Sequence, residues 1–147
     1  MSKNKQPKKL ESPTLGKHPN AHDPSSAKYS HPSWIVGAMD IEWEEFGWGK
    51  ASEHELKNII QPKLRDFESM TWNDITAPDK SHNVEKWKLI KEARDRLIKL
   101  QLDDIDELYS LRLGGKRRIW GIRAANFLKI IWWDPNHLIC PSSKRNT

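Results

Sequence analysis

Apolar residues recur along this chain with two different periods, and the change falls between residues 101 and 106. Over residues 84–101, Trp87, Ile90, Ala93, Leu97 and Leu100 follow a three-to-four spacing, which predicts a helix with these side chains inward. The other side carries Lys88, Lys91, Glu92, Asp95 and Lys99, with opposite charges four residues apart, as on a solvent face. From Asp106 the period is two. Tyr109, Leu111 and Leu113 alternate with polar residues and predict a strand over 106–113. Gly114-Gly115 predicts a tight hairpin, because glycine accepts the positive φ that such turns require. Arg117–Arg123 is the second strand, Ala124-Ala125-Asn126 turns the chain, and Phe127–Trp133 is a third, nearly all-apolar strand. Asp134-Pro135-Asn136 ends it, and Leu138–Cys140 is expected as a short fourth strand.

The patterning upstream is weaker. Ser52 followed by Glu55 is a capping box that starts a helix, with Leu56, Ile59, Ile60, Leu64 and Phe67 inward. Pro62 implies a kink there, or a second helix beginning near it. Thr71 and Asp74 suggest a helical turn around Trp72. Residues 33–50 carry Trp34, Ile35, Val36, Ile41, Trp43, Phe46 and Trp48 between Gly37, Gly47 and Gly49, which fits short strands or an irregular hairpin. These aromatics are expected to pack, with a base-stacking platform as the alternative. Residues 1–32, rich in Lys, Pro, Ser, Asn and His, read as a disordered basic tail dispensable for folding.

The expected fold class is α+β. N-terminal helices pack on a C-terminal three- to four-stranded antiparallel β-meander in a single domain over residues 33–147. Within it, residues 33–80 form an extension, 81–141 the core and 142–147 a flexible tail.

Composition adds bounds. Only 36% of the 147 residues are hydrophobic and the mean hydropathy is −0.83, but eight tryptophans offset this with large apolar surfaces. No run of 18 apolar residues exists, so no membrane partner is expected. The lysines at the start have no apolar segment behind them, so no secretory signal is expected. Cys140 is the single cysteine, which leaves no intramolecular disulfide and points to the cytoplasm.

The net charge of +5 is unevenly spread: +4 over residues 1–32, −6 over 33–111 and +7 over 112–147. An acidic middle followed by a basic end suggests a polyanionic partner. Arg112, Lys116, Arg117, Arg118 and Arg123 crowd around the hairpin, and arginine's planar fork suits phosphate. Alternation places Arg117 and Arg123 on one face and Lys116 and Arg118 on the other, so some of the five are structural. Arg118 is a candidate ion-pair partner for an acidic residue of the preceding helix. His137, after the third strand, is a candidate proton-transfer group, with a turn-capping role as the alternative. Tyr109 is expected in the core. His18, His22, His31, His54 and His82 show no metal-ligand spacing, and no cofactor is expected.

The run LRLGGKRRIWGI (111–122), the strand FLKIIWWD (127–134) and the following PNH (135–137) resemble the C-terminal half of RelE/ParE-type toxins of bacterial toxin–antitoxin systems. The resemblance covers residues 86–141. It implies a helical hairpin followed by an antiparallel meander, with Arg112, Arg118 and His137 at positions where that family carries an arginine before the glycine turn, an arginine on the next strand and a basic residue after the apolar strand. In that family RelE-like members cleave mRNA on the ribosome and ParE-like members attack gyrase. The reading taken from the resemblance is a type II toxin acting as a metal-independent endoribonuclease on mRNA, with a cognate antitoxin as protein partner. Arg112, Arg118 and His137 are then the expected catalytic residues, and Lys116, Arg117, Arg123 and Lys129 the expected RNA contacts. The alternatives are a non-catalytic nucleic-acid-binding module on the same basic sheet and a phage or plasmid accessory interaction protein. Residues 1–80 exceed what the two N-terminal helices of that family need.

Overall fold

The structure, a computed structural model, describes residues 27–76 and 81–141. The C-terminal run folds as its period demands. β3 (Glu107–Gly114), β4 (Arg117–Ala124) and β5 (Phe127–Asp134) are consecutive antiparallel strands. Gly114 and Gly115 turn the first hairpin at φ 110° and 57°, and Ala125 turns the second at φ 51°.

The sheet is larger than a meander, and this corrects the expected fold. It is one mixed five-stranded sheet in the order β1-β5-β4-β3-β2. β1 (Ser33–Ile35) pairs parallel with β5, Ser33 opposite Phe127. β2 (His82–Glu85) pairs antiparallel with β3, His82 opposite Ser110. The fourth strand expected at Leu138–Cys140 is absent. That segment bends, and Ile139 O accepts from Ile90 N instead.

The segment after β1 is a strap rather than a hairpin. Beyond the reach of β1, Asp40 N donates to Ile131 O and Trp133 N to Phe46 O, so residues 33–48 satisfy the outer edge of β5. The strap is locked by Asp40, which is 4% exposed. Its carboxylate takes two hydrogen bonds from Arg96, at 2.7 and 2.8 Å, and one from Trp132 Nε1 at 2.9 Å.

The helical elements follow their local signals. α1 (Glu53–Glu55) starts on the Ser52–Glu55 capping box, with both reciprocal bonds made. A π-helical turn (Leu56–Ile60) runs directly into α2 (Gln61–Glu68), with Pro62 in the first turn of α2, just after the π turn. Ile60 and Phe67 are buried, whereas Leu56 is exposed. α3 (Trp72–Thr76) begins with Thr71 and Asp74 exchanging side chain-to-backbone bonds. Trp72 N and Asn73 N donate to Ser30 O and Lys28 O, and Ala27 is buried. Residues 27–32 therefore belong to the fold, and the expected disordered tail can extend no further than residue 26; residues 1–26, like the tail expected at 142–147, lie outside the described residues.

The single helix expected over 84–101 is three elements. They are β2, a 3-10 turn (Lys86–Lys88) and α4 (Lys91–Lys99). Ala93 and Leu97 are buried as the periodicity requires, but Trp87 is 68% exposed.

Both faces of the sheet are covered. Tyr109, Leu111, Ile119 and Trp133 pack under α2, α3 and Trp48. Leu108, Trp120 and Trp132 pack with Leu89, Ala93 and Leu97 at α4. At the β4–β5 irregularity Gly121 lies so close to Lys129 O that a Cβ would sit 2.3 Å away, which reserves this position for glycine.

Among the described residues no helix is long and apolar enough to cross a membrane.

Candidate active site

Period-two geometry decides which cations meet. Arg112 on β3 and Arg118 on β4 are direct cross-strand partners, so their side chains share one face of the sheet. His82 shares that face on β2, opposite Ser110. These three, together with Trp87, Lys88 and His137, line a groove of about 1090 Å³.

The two arginines are held from below. Arg112 Nε and Arg118 Nη1 both donate to Gly115 O, at 3.3 and 2.8 Å, and Arg118 Nη1 also reaches Arg117 O at 3.0 Å. Arg118 has no carboxylate within ion-pair distance among the described residues, so the pairing with a helical acid is not made. Burial and repulsion from Arg112 lower the Arg118 pKa, with partial relief from Asp134. Two guanidinium groups on one surface, with no carboxylate bridging them among the described residues, can take up an anion.

His137 is placed by Asp134, which is fully buried. Its carboxylate accepts from Trp120 Nε1 at 3.1 Å, Leu138 N at 2.9 Å and Ile139 N at 3.0 Å. Asp134 therefore fastens the turn, and the capping role considered for His137 belongs to the aspartate. His137 itself takes a left-handed backbone at φ 59°. Burial, then repulsion from Arg118, push its pKa below the usual histidine value, against the opposing pull of Asp134. At neutral pH its imidazole is uncharged and able to accept a proton.

Sequence reasoning missed three groups. His82 Nδ1 donates to Asn83 O at 3.0 Å, and Nε2 has no hydrogen bond among the described residues. Trp87 and Lys88 stand beside it on the 3-10 turn, with Lys88 Nζ 5.5 Å from the Trp87 ring centroid and 3.7 Å from Glu85. The one available signal was the lysine pair flanking Trp87, which does not suit a core-facing position.

The remaining expected contacts do not converge. Lys116 and Arg117 are exposed at the hairpin tip, and Lys129 is half-buried toward the other end of β5. Arg123 lies on the opposite face of the sheet. Its guanidinium sits 4.3 Å from the Trp72 ring centroid and 5.7 Å from that of Tyr109. Tyr109 is buried, and its hydroxyl bonds to Thr76 Oγ1 at 2.7 Å. Burial lowers the Arg123 pKa, with Tyr109 acting in the opposite direction. Arg123 is thus a packing residue, not a surface phosphate contact. Arg123→Ala is expected to destabilise the fold by about 1–2 kcal/mol through lost cation–π contact and packing. Denaturant melts read that loss, and the salt dependence of any RNA binding should not change. A slope flattened by roughly 0.7, the value of one phosphate contact on a single strand, would contradict this placement.

Among the described residues no three His, Cys, Asp or Glu side chains converge to hold a metal ion. A family model described as uncharacterised protein UU032 matches residues 54–147, a span that contains every groove residue named above. No curated protein and no solved structure matches the chain.

Proposed function

Because the chain belongs to the family described as uncharacterised protein UU032, a description that assigns no activity, we propose from the groove alone that it is a metal-independent endoribonuclease. One observation carries this reading: two arginines with no carboxylate partner among the described residues and two histidines line the same groove. Phosphate binding alone needs the arginines. Two proton-transfer groups beside them are what cleavage of an RNA phosphodiester requires.

The reaction follows from those groups. His137, uncharged at neutral pH, takes the proton of a ribose 2′-hydroxyl, whose oxygen attacks the adjacent phosphorus. Arg112 and Arg118 stabilise the added negative charge on the phosphorane oxygens, as preorganised cations do. His82, acting as the general acid, delivers a proton from Nε2 to the departing 5′-oxygen. The P–O5′ bond breaks, and the products are a 2′,3′-cyclic phosphate and a 5′-hydroxyl. The step is balanced without an oxidant, reductant or water.

The cellular role proposed with this activity is that of a type II toxin acting on mRNA and restrained by a cognate antitoxin. Its support is the likeness of residues 111–122 and 127–137 to toxin sequences, not the topology of the sheet.

The test is incubation of the purified protein with single-stranded RNA in a chelating buffer. Fragmentation that disappears in Arg112→Ala and in Arg118→Ala is expected. Intact RNA after exposure to folded protein would contradict the ribonuclease and leave a binding module.

A further inference from the structure

We infer that Trp87 is a stacking platform for one unpaired base of a single-stranded RNA lying in the groove. The inference rests on the groove being the RNA site proposed above, and it adds the strand state of the substrate.

The argument begins with where the chain puts its tryptophans. Burying an indole is strongly favourable, because the ring carries a large apolar surface. Seven of the eight tryptophans behave accordingly. Trp48, Trp72, Trp120, Trp132 and Trp133 are at most 6% exposed, and Trp34 and Trp43 are half-buried. Trp87 alone is 68% exposed. A single exposed apolar residue needs no explanation in general. This one lines a groove with Arg112, Arg118, His82 and His137.

Its position is also fixed. Lys86 N donates to Asp106 O at 2.8 Å, and the Lys86 ammonium donates to Asp103 O. Leu89 N closes the 3-10 turn on Lys86 O at 3.1 Å, and the Leu89 side chain is buried. The turn therefore presents the indole outward from a backbone anchored on both sides. Lys88 lies near the ring and leaves most of it in solvent. An aromatic ring beside a cationic groove is the arrangement that binds single strands, in which cations track the backbone and rings take bases. A base inside a duplex is already stacked on its neighbours and offers no free face.

The probe is a labelled single-stranded oligonucleotide with methylated 2′-hydroxyls, which cannot be cleaved, so binding is read apart from chemistry. It is compared with the same strand carrying abasic sites and with the strand annealed to its complement. Base–aromatic stacking corresponds to roughly 5- to 150-fold in affinity. Trp87→Ala is expected to weaken binding of the intact strand by that factor and to bind the abasic strand as the wild type does. Trp87→Phe, which keeps an aromatic face, should retain most of the affinity. The wild type should prefer the single strand to the duplex. Equal binding of the intact strand by wild type and Trp87→Ala overturns the inference, as does failure of the wild type to bind that strand. Cleavage of unmodified RNA with stacking absent would leave the reaction standing alone. Binding that depends on Trp87 without cleavage would sustain the platform and remove the reaction.

Discussion

Replacing His137 by asparagine is expected to slow RNA cleavage by about 10²- to 10⁴-fold, the usual worth of a general acid–base group. Affinity for an uncleavable strand should stay close to that of the wild type, because the neutral imidazole adds no charge to the phosphate site. Asparagine is chosen for the backbone. His137 sits at φ 59°, a conformation asparagine tolerates and alanine does not favour. The Asp134 bonds to Leu138 N and Ile139 N do not involve the histidine ring, so the turn should survive. The pH dependence follows from the lowered pKa. The base form accumulates as pH rises through the folded value, which lies below 6.5. The acid limb of kcat/KM should therefore have its midpoint below pH 6.5 in the wild type and be lost in the variant. A folded His137→Asn protein that cleaves RNA at the wild-type rate would remove the histidine from the reaction.

The largest expected effect on stability lies far from the groove. Asp40→Ala should destabilise the protein by about 3–5 kcal/mol, because it strands a largely buried cation. The Arg96 side chain is 17% exposed and that of Asp40 2%. Trp132 Nε1 would lose its acceptor as well. Chemical denaturation measures the loss, and a change below about 1 kcal/mol would contradict a buried, bidentate pair. The pair also sets an acid response. Burial by itself raises the Asp40 carboxyl pKa, but hydrogen bonds from Arg96 and Trp132 and the Arg96 charge outweigh it, so the folded value lies below 3.8. A depressed folded pKa gives stability that is complete above the unfolded value and is lost as pH falls through the folded one. Melting should therefore be insensitive to this group above pH 3.8 and weaken below it. Asp40→Asn should be less stable throughout and should lack that component of the acid limb.

The sequence was most legible where structure is decided by neighbours along the chain. The Gly114-Gly115 turn, the Ala125 turn, the Ser52–Glu55 box and the Thr71–Asp74 turn are local devices, and each forms. The sheet was less legible because its two outer strands are made by distant pairing. Ser33 meets Phe127, and a three-residue strand carries almost no periodicity. His82–Glu85 contains one apolar residue, Val84, so β2 gave no alternation to read. Trp87 joined Ile90, Ala93 and Leu97 at a helical spacing by coincidence. The extended backbone at Leu89 and Ile90 interrupts that helix before it starts.

The candidate site shows the same division. Arg112 and Arg118 were singled out as a pair only through the family resemblance, and the glycine hairpin makes them cross-strand neighbours. Arg123 was assigned to the RNA surface on charge, yet alternation had already placed it on the opposite face from Arg118. There Trp72 and Tyr109 enclose it. His82 was invisible because it reaches the groove only through the β2–β3 pairing, which no short-range signal announces.

The chemical identity of the ends left on cleaved RNA tests the central claim most directly. Attack by the 2′-oxygen, with His137 and His82 moving the protons, predicts a 2′,3′-cyclic phosphate on one fragment and a 5′-hydroxyl on the other, both readable by mass spectrometry. Fragments ending in a 3′-hydroxyl and a 5′-phosphate would show water as the nucleophile and would contradict the mechanism.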